Sequence, residues 1–156
     1  MTVAPAPFQA FLDAHRDDVF RFLVAAVGRE EADDCFQETF LSAMRAYPRL
    51  RPDSNLRAWV LTIAHRKALD SHRARKRRAV PVADVPERAA AEVNHHDDAL
   101  WREVRSLPGK QRAAVVLRFA SDLPHDEIAR VLGCSEDAAR RNVHEGLKKL
   151  RSTWDR

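Results

Sequence analysis

Glycine is scarce in this chain, four in 156 residues, and cysteine scarcer still, with two. Cys35 and Cys134 stand alone, with no Cys-x-x-Cys spacing, so a disulfide framework, a zinc ribbon and a dithiol redox site are all disfavoured; each thiol is expected buried or half-buried. No apolar run approaches the ~18 residues a membrane span requires. The stretch Met1–Pro7 has neither a basic start nor an apolar core, which argues against a secretory signal and for the cytoplasm. Phosphate-cradling glycine loops, a nucleophile elbow and a zinc-helix signature are missing. The chain is therefore expected to carry no catalytic activity, cofactor or metal. The run His95-His96-Asp97-Asp98 lacks partner ligands at helical spacing and does not change that expectation. There is no internal repeat and no low-complexity tract.

What is abundant points to helix. Apolar residues make up 45%, ordinary for a folded domain, and Ala, Leu, Arg and Glu dominate, all good helix formers. Phe8, Phe11, Leu12, Val19, Phe20, Leu23 and Val27 recur at helical spacing, with a possible break near His15, and Gly28 ends the run. A second helix spans 29–46 and offers Ala32, Cys35, Phe36, Phe40 and Met44 for packing. Pro48 and Pro52 impose a loop over 47–54. Ser54 or Asn55 can cap a third helix carrying Leu56, Trp59, Val60, Ile63, Ala64 and Leu69, with Trp59 read as core. Together these form a bundle of three to four helices over 8–78. From 79 to 96 the periodicity vanishes among prolines, alanines and scattered acids, the mark of a flexible linker. A second bundle over 97–153 starts with Leu100, Trp101, Val104 and Leu107. Pro108 and Pro124 open its next two helices, and Val115, Val116, Leu117 and Phe119 fill its core. The expected fold is all-α: two small helical bundles joined by a flexible linker.

The C-terminal third has the pattern of a helix-turn-helix. One short helix places Ile128, Ala129 and Leu132 on a single face. Gly133 ends it by accepting a positive φ, and Ser135 can cap the next helix. That helix turns Val143, Leu147 and Leu150 inward and keeps Arg140, Arg141, His144 and Lys148 elsewhere. An apolar stripe backing a basic face is suited to the major groove.

Charge is unevenly spread. Positions 65–78 hold seven Lys or Arg against the single acid Asp70, while 30–38 hold five acids and no base. Such a division implies two partners of opposite charge.

The residues Asp34-Cys35-Phe36-Gln37-Glu38-Thr39-Phe40 and Leu56-Arg57-Ala58-Trp59, followed by Asp70 and an arginine run, resemble region 2 of a bacterial sigma factor. Leu107-Pro108, Gln111-Arg112, Glu127-Ile128-Ala129 and Gly133-Cys134-Ser135 resemble region 4. Both in this order, with no domain between, resemble the extracytoplasmic-function (ECF) group over nearly the whole chain. The resemblance implies a factor that binds core RNA polymerase, through the β′ clamp coiled coil and the β flap, and directs it to promoter DNA. Asp33, Asp34, Gln37, Glu38 and Phe40 are the implied polymerase-docking residues. Leu50, Arg51, Asp53, Ser54 and Asn55 would line the site for a flipped base of the −10 element, with Leu50 standing where an aromatic can occur. His65, Arg66, Arg73 and Arg77 would contact the same DNA, and the run 75–78 would grip phosphates. The −35 element falls to Arg112, Ser135, Arg140, Arg141, Asn142, His144, Glu145 and Lys148. Asn142 and Glu145 occupy places where arginines are common; Asn pairs with adenine and Glu with cytosine, so an unusual −35 preference is expected. Gly146 is expected to weaken its helix by about 1 kcal/mol relative to Ala. An anti-sigma partner is implied, and no membrane association. The competing reading is a conventional helix-turn-helix regulator whose first bundle binds an effector or dimerises; it leaves the acidic and basic helices of that bundle unexplained.

Overall fold

The computed structural model describes residues 7–51, 53–78 and 95–155. Most of the expected linker, and its acids, lie outside those residues. Among them the chain is helical: α1 (Phe8–Val27), α2 (Arg29–Ala46), α3 (Leu56–Arg78), α4 (His95–Arg105), α5 (Gly109–Phe119), α6 (His125–Leu132) and α7 (Glu136–Trp154).

α1 runs unbroken through His15. The ring of His15 lies against Phe11, centroids 5.0 Å apart, so the polar residue sits beside the apolar stripe without ending the helix. Gly28 then turns the chain into α2. The sequence 47–54 is not wholly irregular: Tyr47–Arg49 forms one 3-10 turn with Pro48 in its first turn, where a missing N–H costs little. Asn55, rather than Ser54, caps α3, its side-chain oxygen accepting the Ala58 N–H at 3.1 Å. Pro108 and Pro124 each sit one position ahead of the helix they open, at the N-cap. α4 begins at His95, slightly ahead of the expected position.

The first bundle closes around Phe11, Val19, Phe22, Leu23, Val60 and Leu61, all buried. Trp59 is half-buried with its ring 5.6 Å from that of Phe11. The second bundle closes around Val116, Leu117, Leu123 and Ile128. Four residues expected inside are not: Phe119, Met44, Phe20 and Leu100 are 57%, 50%, 40% and 36% exposed. Each lies on the solvent edge of its helix, where spacing alone does not separate the margin of an apolar stripe from its centre.

Gly146 has a packing reason. α7 crosses α5 so closely there that a methyl group on Gly146 would come within 2.6 Å of the Val115 Cγ2. The two bundles also touch each other: α6 packs on α3, and α4 and α5 pack on α1.

Candidate nucleic-acid interface

The α6–α7 unit is built from local chemistry. Gly133 takes a left-handed φ of 67°, and the next N–H, from Cys134, bonds the Ala129 carbonyl at 3.0 Å. This bond, with that from the Gly133 N–H to the same oxygen, satisfies a carbonyl left open at the end of α6. Ser135 then caps α7, its hydroxyl oxygen accepting the Ala138 N–H at 3.1 Å. Val143 is buried while Leu147 and Leu150 pack half-buried on the core. That orientation leaves Arg140, Arg141, His144 and Lys148 on the open side, with Asn142 and Glu145 at its margins. Arg140 is not a free cation: Glu136, one turn before it, pairs with its guanidinium at 2.7 Å and raises its pKa. Both carboxylates of the first turn, Glu136 and Asp137, are exposed at the helix N-terminus, where the macrodipole favours them.

On α2 the residues Asp34, Gln37, Glu38, Leu41 and Met44 are all exposed. Their spacing of three and four places them along one helical face. Leu41 and Met44, 49% and 50% exposed, form an apolar centre beside acids, the composition of a protein-binding surface. Asp33 is exposed to one side. Phe40 points the other way. It is 6% exposed, with its ring 4.8 Å from Phe36 and 6.3 Å from Phe11. Expected to touch the polymerase, it instead holds α2 on the core, because its position falls on the inward stripe.

The loop before α3 holds Arg51 and Asp53 exposed, Ser54 half-buried and Leu50 packed on the core. Arg66, Arg73 and Arg77 line the open side of α3. Two other expected DNA contacts are drawn inward. His65 on α3 and Arg112 on α5 flank a gap between the bundles that His72, Phe22 and Ala26 also line. Burial, then the Arg112 and Arg66 charges, push the His65 pKa down to about 4. The pKa of His72 is lowered by the same burial and by Arg112; its Nε2 lies 2.9 Å from the Ala26 carbonyl oxygen. Arg112 donates to the Arg105 carbonyl at 3.1 Å, and its pKa is lowered by burial. Asn55 is exposed but committed, donating to the Glu127 carboxylate on α6 at 2.9 Å.

Sequence reasoning missed Arg57 and Glu127. Arg57 pairs with Asp18 at 3.4 Å and donates to the Ser121 carbonyl. No local pattern announces either, because their partners lie in the other bundle or another helix. Cys35 is buried and Cys134 half-buried.

Two helical bundles, the second presenting a basic helix-turn-helix, define a DNA-reading protein of the transcription machinery. The Sigma-70 region 2 family model matches residues 11–78 and the Sigma-70 region 4 model residues 97–150. The chain belongs to the sigma-70 family, and its relatives place it in the ECF group. It is 33% identical to the ECF RNA polymerase sigma factor SigD of Mycobacterium tuberculosis, over 90% of this chain and 73% of that one. It is 30% identical to the RNA polymerase sigma factor CarQ of Myxococcus xanthus, over 92% and 87%. The fold matches that of the sigma factor RpoE, solved with the anti-sigma factor NepR from Bartonella quintana (TM-score 0.78, 22% identity, 95% of this chain and 96% of that one). It also matches CnrH, solved with the cytosolic domain of CnrY (TM-score 0.75, 22% identity, 95% and 87%). As a sigma factor the protein directs RNA polymerase to promoters; the effector-binding regulator is not favoured, because both halves match sigma regions. Among the described residues no helix is long and apolar enough to cross a membrane.

Proposed function

We propose that the promoter-directing activity is divided among three surfaces. The outer face of α2, with Asp33, Asp34, Gln37, Glu38, Leu41 and Met44, docks on the β′ clamp coiled coil. The segment 50–55 and the open side of α3 engage the −10 element, the bases in pockets and the phosphates on Arg66, Arg73 and Arg77. The helix α7 enters the major groove at the −35 element through Arg140, Arg141, Asn142, His144, Glu145 and Lys148, while the second bundle rests on the β flap. The domains are then 8–78 for polymerase and the −10 element and 97–153 for the −35 element, with 79–96 joining them. The protein works in the cytoplasm, leaves all chemistry to the polymerase, and is held in check by an anti-sigma factor, the kind of partner with which RpoE was solved.

The observation that carries this division is the α2 face. Leu41 and Met44 stand out of the core beside an acidic row, and a helix that exposes two large apolar side chains there is shaped for a partner. The test is run-off transcription on genomic fragments with core polymerase, with and without the chain. New start sites that vanish for Arg140→Ala/Arg141→Ala, in a variant that still co-elutes with polymerase, support the reading. Unchanged start-site choice overturns it.

A further inference from the structure

One acid stands in the basic half of α3, and the division of promoter contacts leaves it without a task. Arg66, Asp70, Arg73 and Arg77 follow one another at spacings of four, three and four, and all are exposed. Such spacing puts them on a single helical face, the open side that carries the phosphate contacts. Asp70 is the only acid among positions 65–78, against seven Lys or Arg. Arg66 and Arg73 flank it by one turn, near enough to pair along a helix, yet no ion pair among the described residues involves Asp70. The polar fastenings of α3 to α2 along this stretch come from its neighbours. Ser71 donates to the Glu31 carboxylate at 3.4 Å, and the Cys35 thiol donates to the Lys67 carbonyl at 3.9 Å.

A carboxylate among phosphate-gripping arginines opposes binding. Each neutralised phosphate adds affinity whatever the sequence, and Asp70 subtracts from that sum. A negative charge in such a row becomes favourable where the nucleic acid offers it a donor, and base edges do. In the major groove cytosine presents its N4 amino group. Adenine sets an N7 acceptor beside its N6 amino group, and guanine and thymine present acceptors. An ionised carboxylate only accepts, so cytosine fits it best. Asp70 also lies about 22 Å along the helix axis from Asn55, at 1.5 Å per residue. It and the loop 50–55 therefore meet different bases.

We propose that Asp70 is a specificity-determining residue that reads a cytosine in the duplex beside the opened −10 strand. Its carboxylate accepts from the cytosine N4 amino group, while Arg66 and Arg73, one turn to either side, hold phosphates and fix the register. The inference rests on the assignment of the open side of α3 to promoter DNA. The same carboxylate lowers affinity for every sequence that lacks the donor, so it sharpens promoter choice in two ways: by attraction to the right base and by repulsion from the rest.

The test uses the full chain bound to core polymerase and a pool of promoter fragments randomised through the −10 element and the base pairs around it. The wild type should enrich cytosine at one position by about fivefold or more over the other bases. Asp70→Ala should flatten the profile there. Asp70→Asn should move it toward adenine, the partner of an asparagine amide. All other positions should keep their preferences. Both variants should melt with the wild type, because Asp70 is exposed and makes no ion pair. A midpoint lowered in both would make Asp70 a structural residue and overturn the proposal. So would a wild type without the cytosine preference, or a preference that survives in Asp70→Ala. Uniformly tighter binding with an unchanged profile would leave Asp70 as a solvated charge and nothing more. Arg66→Ala/Arg73→Ala checks the reading beneath. If that variant keeps full promoter binding, the assignment of α3 fails. If it loses binding while the Asp70 variants keep the wild-type profile, the cytosine contact alone is refuted.

Discussion

The side-chain amide of Asn55 reaches the carboxylate of Glu127 at 2.9 Å across 72 positions of sequence. The same Asn55 side chain caps α3 through its oxygen. One residue thereby starts the helix assigned to the −10 element and ties it to the unit assigned to the −35 element.

Gly146→Ala separates packing from propensity. Propensity alone predicts a gain of about 1 kcal/mol. The added methyl would meet Val115 Cγ2 at 2.6 Å, and Val is stiff at χ1, so overpacking of about 1–3 kcal/mol should win. A thermal melt should show a lower midpoint than the wild type; a higher one would mean that α7 and α5 move apart freely.

Acid should destabilise the fold through His65. Its pKa falls from an ordinary 6.5 to about 4 on folding, so the unfolded chain binds the proton more tightly. Stability is complete above about 6.5 and declines as pH falls toward 4, by on the order of 3 kcal/mol. Arg112 and Arg66 act in the same direction on His65; at His72, Arg112 and Arg75 lower the pKa while Glu31 opposes them. Denaturant titrations at pH 7.5 and 5 should differ, and His65→Gln should reduce the difference. An identical pH slope in that variant would remove His65 as the cause.

Charge reversal on α2 should abolish docking without unfolding. Gln37 and Glu38 are exposed, so Gln37→Lys/Glu38→Lys should melt within about 0.5 kcal/mol of the wild type yet no longer co-elute with core polymerase. Retained co-elution at wild-type levels would place the docking face elsewhere.

Glu136→Ala should broaden −35 preference. The carboxylate holds the Arg140 guanidinium at 2.7 Å near the start of a recognition helix, the end that meets base edges. A positioned arginine discriminates guanine by about 1–3 kcal/mol. Selection from a randomised −35 element should lose preference at one base while overall affinity rises, since a negative charge facing phosphate is removed. An unaltered preference profile would show that Arg140 is oriented by the DNA alone.

Much of this was legible in the chain. Gly133, Ser135 and the stripe of Val143, Leu147 and Leu150 dictated the α6–α7 unit, because capping and periodicity act over one or two turns. Phe40 and Met44 were harder: both fit an apolar stripe, yet one is buried and the other half-exposed. The difference depends on where α1 and α3 lie against α2, which spacing within α2 does not encode. Gly146 read as a weak point and proved a close-approach site, because its neighbour Val115 belongs to another helix.

The sequence by itself determined the helices, the Gly133 and Ser135 caps, the two bundles and the separation of acidic from basic faces, since each depends on interactions within a few residues. Tertiary structure alone decided that Asn55 would meet Glu127, that Arg57 would find Ser121, and that Arg112 would lie beside His65. Those contacts join positions far apart in the chain, and polar side chains that meet only across a tertiary contact carry no periodic signature of what they will touch.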